Sequence, residues 1–283
     1  MFSENDMDWM ALIEELANEA LEKVTPLLLT TENIEKDAKS IKEKGLRVDK
    51  ASELAILEGL KRRGIPCTLV SEDIGMVRIE GGSDIHIVVD PIDGTTNASR
   101  GIPYSAISIA VSDKPKLSGV FAGIVLNVFT GEKFAAEGGC GAYRGKTRIR
   151  TSEVKELKDA VVSMDLSKRA FHMEWALQIA RRVSGVRHLG SASIELSYVA
   201  MGRMDAHVDL RWVIRPVDVA AGILILREAG GAVYTQGRTG QDVDLKPGER
   251  MVIVGAANQQ LLKEIFSTVS IPPPPKNTTD TGP

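Results

Sequence analysis

The sequence predicts an α/β (α+β) fold whose two halves are built differently. Three observations carry that expectation. Two amphipathic helical stretches come first. Strand-like segments then follow one another from residue 67 to about 137 with no helical pattern between them. Beyond about residue 150, strand and helix patterns alternate. Of 283 residues, 43% are hydrophobic and 26% charged, which suits a chain that buries a substantial core.

The first helix opens at an S-x-x-D cap over residues 3–6 and carries Trp9, Ile13, Leu16, Ala20 and Val24 at helical spacing. Thr25-Pro26 is expected to break or re-cap it. Residues 32–50 are charged and poor in large apolar side chains, and the KSIKEKG segment within them reads as a mobile surface loop. Asp49 then opens a second helix through Leu54, Ile56, Leu57 and Leu60, stopped by Gly64. CTLVS, MVRIE and DIHIVVD read as strands, SAISIAVS alternates small polar and apolar residues, and LSGVFAGIVLNV pairs with EKFAAE around Phe129-Thr130-Gly131. GGCGAYRG is a glycine-rich connection that divides an N-terminal α+β domain, 1–145, from a C-terminal α/β domain, 146–268. In the second domain AVVSM, VRHLG, DAHVDL, AVYT and MVIVGAA are strand-like, and 172–183, 193–201, 217–229 and 259–269 are helical. The tail over 269–283 ends in IPPPPKNTTDTGP and is expected to be disordered. Trp9 and Trp175 read as core anchors, and Cys67 as a packed residue.

Charge and residue usage exclude several functions. Thirty-five Lys and Arg against 38 Asp and Glu leave a net charge of -3, so no nucleic acid or membrane partner is expected. The first residues lack a basic-then-apolar leader, and no eighteen-residue apolar run occurs. With only two cysteines, a cytoplasmic setting is the expectation. Cys67, Cys140 and the four histidines, His86, His172, His188 and His207, show no zinc-ligand spacing. Any metal would be held by carboxylates, which suits Mg²⁺, Mn²⁺ or Ca²⁺.

The segment IHIVVDPIDGTTN, residues 85–97, holds the most chemistry. A buried-type strand runs into Asp90-Pro91-Ile92-Asp93-Gly94-Thr95-Thr96. Pro91 bends the chain so that two carboxylates three residues apart can converge. Gly94 tolerates backbone geometry closed to other residues, and the amides of Gly94, Thr95 and Thr96 can then face an anion. A bare D-x-x-D also fits an Asx turn with a solvated acidic pair; the whole string at a strand end favours a phosphate-ester site. Asp218, before Val219-Ala220-Ala221-Gly222 at a helix start, fits either a capping acid or a metal ligand.

These residues resemble the inositol monophosphatase family of Mg²⁺-dependent sugar phosphatases, in its archaeal inositol-1-monophosphatase/fructose-1,6-bisphosphatase style. Residues 90–95 match the family's D-P-[IL]-D-[SG]-T signature, and VDVAAGILILREAGG, residues 217–231, matches its second. Ser71-Glu72-Asp73-Ile74-Gly75 and Asp49 supply two further elements, and the likeness spans about residues 5–268. It implies the layered αβαβα sandwich of the sugar-phosphatase superfamily. It also implies hydrolysis of a small phosphate ester, two or three Mg²⁺ per subunit, sensitivity to Li⁺ and a homodimer.

Carried over residue by residue, the resemblance assigns Glu72, Asp90 and the carbonyl of Ile92 to one Mg²⁺, and Asp90, Asp93 and Asp218 to a second. It assigns Asp49 and Thr95, together with Glu72, to activation of the attacking water, and the amides of Gly94, Thr95 and Thr96 to phosphate. Gly190, Ser191, Ala192 and Asp209, with Asp93 and Asp218, would meet the substrate. Ser191 and Ser193 equally fit caps of a helix start, and Asp209 a strand-end surface acid. Lys168, Arg169 and Arg211 fit either a second phosphate or solvated surface charge. Ala98 replaces a frequent aromatic, GLRVD precedes Asp49 where a threonine is usual, and Val217 replaces a frequent Trp.

Inositol-1-phosphate and fructose-1,6-bisphosphate are the leading substrates. A 3'(2'),5'-bisphosphate nucleotidase or histidinol-phosphatase is an alternative. A non-catalytic metal- or phosphate-binding regulatory protein, serving a partner such as the transcription machinery, is another. Such a chain would have lost one of Glu72, Asp90, Asp93, Thr95 or Asp218, and all five are present.

Overall fold

A computed structural model describes residues 7–28, 38–166 and 174–274. The cap at residues 3–6, Lys168, Arg169, His172 and the tail beyond residue 274 lie outside the described residues.

Helices α1 (Trp9–Leu28) and α2 (Ala38–Arg63) lead the chain. The first sheet holds β1 (Cys67–Ser71), β2 (Gly75–Ile79), β3 (His86–Asp93), β4 (Ala106–Ser112), β5 (Val120–Asn127), β6 (Lys133–Glu137), β7 (Gly141–Arg144) and β8 (Thr147–Ile149). Its order is β2-β1-β3-β4-β5-β6-β7-β8, with β1 and β3 parallel and the other neighbours antiparallel. A short helix, α3 (Thr95–Arg100), follows β3. The second sheet holds β9 (Val161–Met164), β10 (Gly185–Arg187), β11 (Ala206–Ile214), β12 (Ala232–Gly237) and β13 (Met251–Ala256), in the order β10-β9-β11-β13-β12. Helices α4 (Glu174–Ala180), α5 (Ala192–Ala200), α6 (Pro216–Glu228) and α7 (Gln259–Thr268) accompany it.

Strand alternation sorts the apolar residues into three cores, and the middle one encloses a helix layer between the two sheets, which makes five layers in all. Ile107, Ile109 and Val111 of β4 pack with α1 and α2, while Ala106 and Ala110 face α5 and α6. On β13, Met251 and Ile253 close the far side of that middle layer, and Val252, Val254 and Ala256 pack with α4 and α7. This is the αβαβα sandwich the resemblance implies. Helix α6 lies in the middle layer with eleven of its thirteen residues buried. Each of its buried Ile and Leu side chains contributes about 1.5–3 kcal/mol. Gly123 of β5 lets the helix approach, since a Cβ there would stand 3.1 Å from Ala221 Cα.

Several expectations need correction. Helix α1 does not break at Thr25-Pro26 but runs to Leu28. Pro26 sits in the last turn, where its missing N–H removes one i→i−4 hydrogen bond, and burial of Val24 and Leu28 around it offsets that loss. KSIKEKG is not a loop, and Asp49 does not open α2 but lies near its middle. This helix docks through a small residue: a Cβ on Gly45 would meet Thr95 Cγ2 at 2.9 Å, so no large apolar periodicity marks the contact. The glycine-rich GGCGAYRG contains β7, and the first sheet runs on to Ile149. Trp9 is only half-buried, whereas Trp175 and Cys67 are buried. The tail's first residues are held in place: Val269 is buried and Pro272 O accepts from Trp212 Nε1 at 2.7 Å. Trp212 itself packs in the outer core with α4 and α7 and does not replace the aromatic missing at Val217. No helix among the described residues is long and apolar enough to cross a membrane.

Candidate active site

Strand β3 carries the first two acids. Its pairing with β4 shifts register between Asp90 and Asp93, so the chain bulges through Pro91-Ile92 as the proline requires. Asp90 Oδ1 accepts from the Ile92 amide at 3.2 Å, and Pro91 O accepts from Ser52 Oγ of α2 at 2.8 Å. Gly94 then takes φ 86 and ψ 43 as the N-cap of α3. Only glycine fits: a Cβ would lie 2.8 Å from Tyr104 O and 2.9 Å from Gly190 O. Thr95 and Thr96 start α3, where amides have no intrahelical acceptor.

Other elements bring the remaining side chains to this turn. Thr95 Oγ1 lies 3.2 Å from Asp49 Oδ1 of α2 and 3.1 Å from Ile92 O, and is oriented to donate to either. Asp93 Oδ2 accepts from Ser191 Oγ at 2.7 Å, Ser193 N at 2.7 Å and Ser193 Oγ at 2.6 Å. The two serine hydroxyls therefore bind Asp93 rather than cap α5. Asn97 Nδ2 bridges Tyr104 O and Leu189 O, each at 2.7 Å, and so ties α3 to the segment holding Gly190 and Ala192. Asp218, at the start of α6, does cap its helix: Oδ2 accepts from Arg215 N at 2.8 Å.

Glu72 stands in the turn between β1 and β2. That turn is organised by Glu53 of α2, whose Oε1 accepts from Ser71 Oγ at 2.5 Å, Ile74 N at 2.9 Å and Asp73 N at 3.3 Å. The guanidinium of Arg215 lies between Glu72 and Asp218, pairing with the first and holding Asp218 Oδ1 at 2.7 Å. Among the described residues, no three acidic, His or Cys side chains converge on one point. Arg215 stands between two of the acids, and Asp93 is turned toward the serines.

Burial and mutual repulsion disfavour ionisation here. Asp49 is pushed up to about 7, first by burial and then by the charge of Glu72. Asp93 is pushed up to about 6 by burial, against the pull of the Ser193 and Ser191 hydrogen bonds. Asp90 lies well above the usual carboxylate range through burial and the neighbouring Asp218, Asp93 and Glu72. An all-oxygen donor set whose charges are this poorly balanced fits a hard divalent cation.

Asp209 and Arg211 belong elsewhere. Asp209 is not a strand-end surface acid but is fully buried on β11. Arg211 holds it through Nε at 2.9 Å and Nη2 at 2.6 Å, and also reaches Asp165 at 2.6 Å. Neither is solvated surface charge: a bulge that sets Trp212 at φ 60 turns the β11 chain here, and both side chains stay inside. Sequence reasoning missed Glu53 and Arg215. Glu53 had a signal, standing four residues after Asp49 on the same helix face as Ile56 and Leu60. Arg215 had only its place three residues before Asp218.

Five alternating layers, with buried acids and a glycine-led amide turn at a strand end, define the layered sugar-phosphatase class. The profile of the inositol monophosphatase family matches residues 7–270, and the chain belongs to that family. It is a phosphoric monoester hydrolase of a metal-dependent family and acts on a small phosphate ester. A fructose-1,6-bisphosphatase/inositol-1-monophosphatase of Thermococcus kodakarensis is 34% identical over 271 residues, covering 95% of this chain and all of the relative. The Nus factor SuhB of Pasteurella multocida is 32% identical, over 84% of this chain and 86% of its own. A crystal structure of an inositol monophosphatase–fructose 1,6-bisphosphatase superposes with a TM-score of 0.74 at 26% identity, over 93% of this chain and all of that one.

Proposed function

We propose that the chain is a Mg²⁺-dependent phosphatase of inositol-1-phosphate and fructose-1,6-bisphosphate, with two or three Mg²⁺ per subunit. The observation that carries the reading is the end of β3. There Asp90 and Asp93 lie beside a Gly94-led amide turn, while Glu72 and Asp218 arrive from two other elements close enough to raise Asp90. Glu72, Asp90, Asp93, Asp218 and the carbonyl of Ile92 would hold the cations. When bound, these supply Lewis-acid activation of water and neutralise charge on the phosphoryl group.

The protein's own groups do the positioning. The amides of Gly94, Thr95 and Thr96 hold phosphate oxygens. Asp49 and Thr95, already within hydrogen-bond distance, orient the attacking water and take its proton. Glu72 assists from the facing turn. Ser191 and Ser193 keep Asp93 in one rotamer, and Gly190, Ser191 and Ala192 line the substrate side with Asp93 and Asp218. Asp209 would act there only with Arg211, which covers it. The reading also includes a homodimer, no nucleic acid or membrane partner, and a cytoplasmic setting; the free thiols of Cys67 and Cys140 support the last.

The Nus factor relative favours a second reading, a binding role beside or instead of catalysis. The complete acid set supports catalysis. The test is phosphate release with Mg²⁺ from inositol-1-phosphate, fructose-1,6-bisphosphate and 3'-phosphoadenosine 5'-phosphate. Asp93→Asn is expected to abolish turnover with the circular dichroism spectrum unchanged. No release from the panel by the parent chain, or undiminished turnover by the variant, would refute the assignment.

A further inference from the structure

The reaction as proposed gives Arg215 no task, yet its side chain lies inside the acid site. Nη1 pairs with Glu72, Nη2 holds Asp218 Oδ1 at 2.7 Å, and Nε lies 2.9 Å from the same oxygen. The two acids come from different elements, the β1–β2 turn and α6, so one planar monocation ties two parts of the fold together. The Arg215 backbone amide separately donates to Asp218 Oδ2 at 2.8 Å, so capping of α6 does not depend on the guanidinium. A quarter of the Arg215 side chain is exposed, which leaves a path toward solvent for its head group.

We propose that Arg215 is an internal counter-cation that holds Glu72 and Asp218 in the metal-free chain and cedes them to the incoming divalent cation. It thereby lowers the apparent cation affinity of the site. The inference rests on the metal-site reading above. Two observations carry it. Glu72 Oε1 and Asp218 Oδ1, oxygens of two carboxylates assigned above to the cations, face the guanidinium. In addition, the same guanidinium contacts both Glu72 and Asp218, so a cation drawing on either carboxylate meets the positive charge of one shared arginine, which makes the exchange competitive. A purely structural salt bridge has the opposite sign: without it the two ligands would loosen and cation binding would weaken.

The test is calorimetric titration of the EDTA-stripped full chain with Mg²⁺ and with Mn²⁺, for the parent, Arg215→Gln and Arg215→Lys, alongside thermal unfolding of the metal-free forms. Competition predicts that Arg215→Gln binds the cation about tenfold more tightly while its metal-free form melts earlier. Arg215→Lys, a point charge without the two-armed fork, falls between them. The lysine variant serves the same comparison if the glutamine variant does not fold. Parent-like or weaker affinity in whichever variant folds would overturn the inference. A parent chain that takes up neither cation would overturn the metal-site reading, and this inference with it.

Discussion

Replacing Gly94 by Ala tests whether the amide turn is as tightly determined as its geometry implies. Gly94 sits at φ 86, where an L-residue with a Cβ costs about 1–2 kcal/mol more than glycine. The added methyl would also stand 2.8 Å from Tyr104 O and 2.9 Å from Gly190 O. Neither carbonyl can easily retreat: Asn97 donates to Tyr104 O, and to Leu189 O next to Gly190, at 2.7 Å each. Overpacking of this kind costs about 1–3 kcal/mol, which brings the expected loss to about 3 kcal/mol. In a chain of this size that lowers the melting temperature by roughly 6–12 °C. Urea unfolding reads the same loss as a shifted midpoint with unchanged slope. Gly64→Ala is the control, since Gly64 has φ +63 and nothing within 4 Å of a Cβ, so it carries the strain without the clash. Phosphate release by Gly94→Ala is expected to fall about 100-fold as the amides turn away from the phosphate. A variant within about 0.5 kcal/mol of the parent, or no less stable than Gly64→Ala, would refute the reasoning.

Two further outcomes follow from groups beside this turn. Glu53→Ala removes the acceptor shared by Ser71 Oγ, Asp73 N and Ile74 N, leaving the turn that carries Glu72 untethered. The expected result is about tenfold weaker Mg²⁺ binding by calorimetry and a stability loss of about 1–3 kcal/mol. Asp49 has its pKa raised from 3.8 to about 7, so folding favours its protonated form. Its contribution is full below the unfolded value and is lost as pH rises through the folded one. The metal-free chain therefore loses on the order of 4 kcal/mol from this group between about pH 4 and 7. Asp49→Asn is expected to flatten that slope in denaturation measured across the range, and a slope unchanged by the substitution would refute the assignment.

What was legible in the sequence was whatever leaves a local periodic trace. The alternation in SAISIAVS survives as β4, with isoleucines on one core and alanines on the other. The paired acids of IHIVVDPIDGTTN announce themselves because a strand, a proline and a glycine in succession constrain where they point. Features set by tertiary contact left no such trace. Helix α2 begins well before Asp49, but it docks through Gly45 and needs no apolar stripe there. Asp209 and Arg211 look like surface charges in sequence, and only the bulge in β11 reveals that each buries the other. Glu53 acts on Ser71, Asp73 and Ile74, and Arg215 on Glu72 as well as on its near neighbour Asp218; the contacts that reach the Glu72 turn span eighteen or more positions, so they mean nothing until the chain has folded.

Helix α6 has a mechanical consequence. It forms the middle layer with α5, touching strands of the first sheet on one side and of the second on the other, and it carries Asp218 at its first turn. Neither sheet can swing away without exposing that helix to water, so the two halves are expected to unfold in one transition. Substrate entry and product exit are then expected to use small movements of the rim, in segments such as the β1–β2 turn and the stretch around Gly190. Stiffening those small loops alone is expected to slow turnover while leaving the melting point almost untouched.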